Sequence, residues 1–269
     1  MKRPLYIKKH ALVTPVRTPD WKELVPAPMK RRDARIWQLA CAASHQVIDP
    51  GSGPPPGSVI VGTALGALEE TRLFLDGVFT DGLGSPRNFI ASVHNSMAGK
   101  IALEFGISGP NLTLCDSHNS LASSLIAIDT LPESALPALC CIVDERTKLL
   151  DELQPHLSGR CRPFLAERWE EGAAAFIIGS VPETGSVPVR AFGPRPAERR
   201  DPESVYRQLI GEHIPGFSGT CLFGESTTSY MQPAITVCET LDRFTKHTVV
   251  GSYSPTTGAA AIVELRETP

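Results

Sequence analysis

The chain has 269 residues and a mass of 29.0 kDa, enough to bury a substantial core in one domain or two small ones. Its 42% hydrophobic and 20% charged residues, with a mean hydropathy of -0.05, are ordinary for a soluble globular protein. A net charge of -3 gives no case for nucleic acid as a partner, and no apolar run approaches the roughly 20 residues of a membrane span.

In chain order, the start Met1-Lys2-Arg3-Pro4-Leu5-Tyr6-Ile7-Lys8-Lys9 is basic but lacks the apolar core of a signal peptide, and a cytoplasmic location is expected. Residues 34–47 read as a helix, with Lys30, Arg31, Arg32 and Arg35 as a solvated basic face. Proline and glycine crowd residues 49–57, a loop, because proline removes a donor and breaks regular structure. Ser58-Val59-Ile60-Val61 then reads as a buried strand that ends in a turn between Gly62 and Gly66. A second strand follows Gly109-Pro110, and a small-residue turn leads from it into residues 119–129. Small and apolar side chains lie on nearly every side of that helix, so it should be buried. Ala138-Leu139-Cys140-Cys141-Ile142-Val143-Asp144-Glu145 is an apolar run of strand length. Gly193-Pro194-Arg195-Pro196 reads as a loop and, with residues 197–202, as a junction between halves.

Seven cysteines, with Cys140 and Cys141 adjacent on an apolar strand, show neither Cys-x-x-Cys nor a histidine spacing suited to zinc. Buried reduced thiols are expected, with no metal and no cofactor. An internal echo links Glu171-Gly172-Ala173-Ala174-Ala175-Phe176-Ile177-Ile178 with Thr257-Gly258-Ala259-Ala260-Ala261-Ile262-Val263-Glu264. Small residues before a β-branched run suit a central strand approached closely by a helix.

Gly109-Pro110-Asn111-Leu112-Thr113-Leu114-Cys115-Asp116-Ser117-His118-Asn119-Ser120 resembles the strand-to-helix turn of the β-ketoacyl synthases. In that family a cysteine opens the buried helix, whose dipole favours the thiolate. Counted from Gly109-Pro110, His118 falls at the cysteine's position and Cys115 lies three residues upstream. Ser85-Pro86-Arg87-Asn88-Phe89-Ile90-Ala91-Ser92-Val93-His94-Asn95-Ser96-Met97-Ala98-Gly99-Lys100 is similar to the segment that packs across the family's dimer axis. Arg162-Pro163-Phe164 and the run from Glu171 to Ala175 resemble two further signatures. The resemblance implies an α/β fold, the thiolase-like layered αβαβα arrangement of two similar halves, truncated relative to a full ketosynthase. It implies one ketosynthase-like domain over residues 1–269, with an N-terminal half of about 1–192 and a reduced C-terminal half of about 193–269. On the family's pattern the last alanine-rich segment is either a strand or the glycine-alanine helix.

A working ketosynthase also brings two histidines to the site, to decarboxylate the malonyl donor and stabilise the oxyanion. Here Phe223 of Phe223-Gly224-Glu225-Ser226-Thr227 stands at the first position, and phenylalanine neither donates a hydrogen bond nor carries a proton. The second turn, from Gly251 to Gly258 through Pro255, holds no imidazole. With His118, Phe223 and Pro255 as degenerate positions, no catalytic residue is expected. The helix terminus and burial should keep His118 neutral. It reads either as a hydrogen-bonded core residue plugging a dead pocket or as a donor or base towards a bound acyl group. Asn88, Phe89 and Val93 read as ordinary interface packing or as bulk limiting a partner's acyl tunnel, and Phe164 and Trp169 as core packing or, by position, as gates.

The resemblance therefore implies a catalytically silent, chain-length-factor-like subunit. Its partners would be an active ketosynthase, in a heterodimer, and an acyl carrier protein, for which the basic cluster at Lys30 offers a landing site. The alternatives are a free-standing acyl-thioester hydrolase or transferase that uses His118 with Ser117 or Cys115, and a self-associating homodimer that binds acyl carrier protein without chemistry.

Overall fold

Runs of β-branched and small residues set the central strands. Ser58–Thr63 (β2), Ala138–Asp144 (β4) and Gly172–Gly179 (β5) are buried along their whole length, as strands covered on both faces must be. The computed structural model describes residues 3–30, 33–49, 51, 53–153, 156, 170–197, 201–223, 229–255 and 257–267. With Leu5–Val13 (β1), Asn111–Cys115 (β3), Val187–Pro196 (β6), Thr220–Phe223 (β7), Thr248–Ser254 (β8) and Ala259–Leu265 (β9) they form one sheet, ordered β3-β2-β4-β5-β1-β6-β9-β8-β7. β2 runs parallel to β3 and β4, and β7 parallel to β8; every other pairing is antiparallel.

The helices are Ala27–Lys30 (α1), Arg35–Val47 (α2), Leu68–Asp81 (α3), Pro86–Ser92 (α4), Ser96–Phe105 (α5), Ser120–Thr130 (α6), Lys148–Leu153 (α7), Pro202–His213 (α8) and Gln232–Asp242 (α9). α2 buries Ile36, Leu39, Ala40, Ala43 and Val47, the spacing of one helical face, and packs with α5 on one side of the β1–β5 region. α6 and α9 lie against its other side, in a core that also takes Val189, Val250, Ala261, Val263 and Leu265 from the β6–β9 region. α8 covers the far side of that second region with Val205, Tyr206 and Leu209. Helix, sheet, central helices, sheet and helix thus follow one another, the five-layer order the sequence leads one to expect.

The strands of the echo are β5 and β9, each flanked by antiparallel neighbours, and the final alanine-rich segment is a strand. One expectation is corrected: Gly193-Pro194-Arg195-Pro196 is not a loop but the end of β6. The strand survives its prolines because its register against β9 shifts between Phe192 and Arg195, and Gly193 takes φ 103° there. The basic start also hides a central strand, β1.

Among the described residues, no helix is long and apolar enough to cross a membrane, and no cluster of histidine, cysteine and carboxylate side chains has metal-binding geometry. Cys140 and Cys141 are fully buried, and burial pushes the Cys140 thiol up to about 12.

Candidate functional site

Three parallel strands, β3, β2 and β4, end together, and the carboxyl edge of such strands is where an α/β sheet offers a site. β3 passes through Asp116 into a 3-10 turn, Ser117–Asn119, and then into α6. Ser117 sits at φ 51°, the only non-glycine residue in the left-handed region among those described. Such strain at a strand-to-helix turn projects the next side chain into the interior. That side chain is His118, only 4% exposed.

Hydrogen bonds from both halves fix the turn. The Ser120 hydroxyl lies 2.7 Å from the Thr63 carbonyl and 2.8 Å from that of Ser117, and it accepts the Asp116 N–H at 3.1 Å. Asn119, fully buried, donates to the Ala259 carbonyl at 3.1 Å and accepts from the Ser252 hydroxyl at 2.8 Å, tying the turn to β8 and β9. Close approach of α6 depends on Gly62: a Cβ there would stand 2.6 Å from Ile142 Cδ1 and 2.8 Å from Ser124 Oγ.

At the end of β4, the fully buried Asp144 carboxylate accepts from Thr63 Oγ1 (2.9 Å), from the Leu65 N–H (2.9 Å) and from the Ala64 N–H. Burial pushes it up to about 6, against those hydrogen bonds. The next residue, Glu145, is 3% exposed, and its Oε1 has no hydrogen-bond partner. Burial first, then the charges of Glu70, Glu171 and Glu69, push its carboxyl up to about 8, with Arg35 opposing.

His118 faces Tyr230, with ring centroids 4.7 Å apart, and its Nδ1 lies 3.3 Å from Ser117 Oγ. Asp116 does not orient the imidazole; its carboxylate accepts from Ser123 at 2.5 Å. Cys115 is exposed at the sheet edge, and desolvation of its sulfur and the Asp144 charge push its thiol up, opposite to what a nucleophile needs.

The structure does not bring Phe223 to His118. Phe223 ends β7 on the α8 side of the sheet, where it stacks on Tyr206 at 4.5 Å. Pro255 lies just past the end of β8, half-buried. Asn88 and Phe89 are on α4 and Val93 caps it; Phe89 and Val93 are exposed, and the Phe89 ring meets Phe74 at 5.3 Å. Arg35 is engaged by Glu171 and by the Trp21 ring, so it is no free landing site. Arg31, Arg32, Arg162, Pro163, Phe164, Trp169 and Gly224 to Thr227 lie outside the described residues. Sequence reasoning missed Tyr230, Asn119, Ser252 and the Asp144-Glu145 pair. Two carboxylates closing an apolar strand were the one available signal.

A strained turn between a parallel strand and a central helix, inside five alternating layers, defines a protein of the thiolase-like class. Residues 7–152, more than half the chain, match the family described as beta-ketoacyl synthase, N-terminal domain, and the chain belongs to that family. No curated protein matches it.

Among solved structures it is similar to the ishigamide ketosynthase/chain length factor, with a TM-score of 0.79 at 15% identity over 99% of this chain and 100% of that one. It is similar to the ketosynthase ApeO in complex with its chain length factor ApeC from Xenorhabdus doucetiae, with a TM-score of 0.65 at 13% identity over 98% and 99% of the two chains. A third likeness is to AntDE:AntF, a type II PKS acyl-carrier protein in complex with its ketosynthase bound to the hexaketide. There the TM-score is 0.72 at 11% identity, over 99% of this chain and 100% of that one. At these identities the likeness establishes the fold.

Proposed function

We propose that this chain is a catalytically silent ketosynthase-like subunit that pairs with an active β-ketoacyl-ACP synthase, in the manner of a chain length factor. The pair would act in the cytoplasm, on type II fatty acid or polyketide (polyene) chains carried by acyl carrier protein. The whole chain would act as one ketosynthase-like domain whose reduced C-terminal half closes the central layer.

The observation that carries this reading is an uncovered apolar face. None of the 14 residues of α3 is buried, yet it presents Leu73, Leu75 and Phe79, the last 83% exposed. Leu83 follows, then Phe89, Ile90 and Val93 around α4, and Leu112 on the edge strand β3. An apolar surface of this kind beside an open strand edge suits a large, obligate interface. Asn88, Phe89 and Val93 would then be the side chains that limit the partner's acyl tunnel. Silence rests on His118, whose imidazole fills the elbow against Tyr230 where the chemistry would need a thiolate.

Co-expression with the ketosynthase of the same pathway tests the reading. The expected outcome is elongation by the complex alone, unchanged by His118→Ala. The Ser117 Oγ to His118 Nδ1 approach of 3.3 Å favours a second reading, an acyl-thioester hydrolase or transferase. Turnover of an acyl thioester by this chain alone, abolished by His118→Ala, would establish it and overturn the first.

A further inference from the structure

The far end of α6 borders a cleft that the site at His118 does not use. The cleft has a volume of 330 Å³, at the small end of the range for ligand pockets. α6 is 11 residues long, so roughly 15 Å of helix separates the two places. The floor is apolar: Leu5 of β1, Leu125 and Ile126 of α6, and Val189 and Ala191 of β6; Phe192 also borders it, with its ring turned to the α8 side and stacked on His213 at 4.5 Å. Three arginines, Arg3, Arg190 and Arg266, and one carboxylate, Asp129, stand around it.

The arginines are not equivalent. Arg190 is tied to the buried Glu264 at 2.6 Å and lies over the Phe192 ring at 5.3 Å, so its charge is largely answered within the fold. Arg3 reaches the carbonyls of Ile128 (3.0 Å) and Leu131 (2.5 Å) and pairs with Glu133 at 3.1 Å. It thereby covers the carbonyl end of α6, whose dipole would otherwise repel an anion. The Arg3 Nε–H is buried without an acceptor, and an unmade hydrogen bond of that kind is costly. Arg266 follows β9 directly. Its backbone N–H donates to the Pro188 carbonyl at 3.0 Å, and its guanidinium has no carboxylate partner among the described residues.

We infer that this cleft binds a small amphipathic anion: an apolar body of acyl-chain type on the Leu125, Ile126 and Val189 floor, its carboxylate or phosphate held by Arg266 beside Arg3. A guanidinium takes either oxyanion in a two-point contact, and an apolar wall beneath it strengthens that contact by excluding water. The inference is independent of the chain-length-factor reading, since it uses no residue of the elbow or of the α3–α4 face.

Isothermal titration calorimetry of the full chain with octanoate, octyl phosphate, 1-octanol and octyltrimethylammonium tests it. One or both anions should bind saturably, with the alcohol and the cation at least about tenfold weaker. The anion that binds more tightly assigns the head group as carboxylate or phosphate. Arg266→Ala should weaken binding about tenfold, and Ile126→Glu, which sets a negative charge on the floor, should abolish it. Arg207→Ala, an exposed arginine on α8, should leave it unchanged. Absence of saturable anion binding through millimolar concentration, equal binding of 1-octanol, or full affinity in a folded Arg266→Ala protein would each overturn the proposal.

Discussion

In the N-terminal half the chain leaves β2, runs through α3, α4 and α5, forms the edge strand β3 and only then enters α6. In the C-terminal half it passes from β7 to α9 and β8, with no counterpart to α3–α5 or β3 among the described residues. Otherwise the halves share one plan. β1, β5, β4 and β2 follow one another outward, as β6, β9, β8 and β7 do, and α2 and α6 correspond to α8 and α9. The segment peculiar to the N-terminal half is the one that carries the uncovered apolar face and leads into the strained elbow. The C-terminal half contributes closure: α9 fills the central layer, Ser252 and Ala259 hold Asn119, and Phe223 packs outward on Tyr206. A Cβ at Gly251 would stand 2.7 Å from Phe223, so that aromatic pair depends on glycine in β8. The difference is one of exposure: the extra segment of the first half leaves apolar side chains uncovered and leads to the elbow, whereas the second half packs around that elbow and closes it, through Tyr230, Ser252 and Ala259.

The sharpest way to break this division is at Asp144. Asp144→Ala would strand the Ala64 and Leu65 N–H groups and the Thr63 hydroxyl beneath the site, at about 3–5 kcal/mol by urea denaturation, with Asp144→Asn milder. A loss under about 1 kcal/mol would show that the strand ends do not need this anchor.

Glu145 gives the next effect, on the order of a few kcal/mol, and it depends on pH. Its folded carboxyl titrates near 8 and its unfolded one near 4.5, so between those values the unfolded state has lost a proton that the folded state keeps. Stability therefore falls as pH rises through that window and levels off above about 8. Glu145→Gln should flatten the fall in denaturation midpoint across that range; an unchanged pH profile would show that Glu145 is ionised in the fold.

Asn119→Ala, which severs the tie between the elbow and the second half, should cost about 1–2 kcal/mol in the same assay. Smallest in stability is Phe79→Glu on the uncovered face, expected to move unfolding by no more than about 0.5 kcal/mol while abolishing co-purification with a ketosynthase. Retained co-purification would move the interface away from α3.

Much of the first half was legible in the chain. The Val59-Ile60-Val61 run, the Cys140-Cys141 strand and the all-round apolar helix after Asn119 are local patterns whose burial follows from composition alone. The count from Gly109-Pro110 placed His118 at the elbow, and the strain at Ser117 immediately before it is the geometry such a turn requires. The second half was less legible. β6 continues through two prolines because a register shift against a distant strand accommodates them, and nothing near in sequence announces that partner.

The sequence by itself determined the class of the fold and which residue stands at the head of α6, because strand runs and buried-helix composition are local properties and the motif after Gly109-Pro110 resembles the ketosynthase turn. Only the tertiary structure decided what surrounds that residue. Tyr230 rather than Phe223 meets the imidazole, since alternation along β7 sends Leu222 to the central layer and Phe223 to the α8 side. Long-range packing likewise left Glu145 buried without a partner for its Oε1 and gathered three arginines, from positions 3, 190 and 266, around one cleft. Burial and convergence of that kind depend on which distant elements pack together, and no local stretch of sequence encodes them.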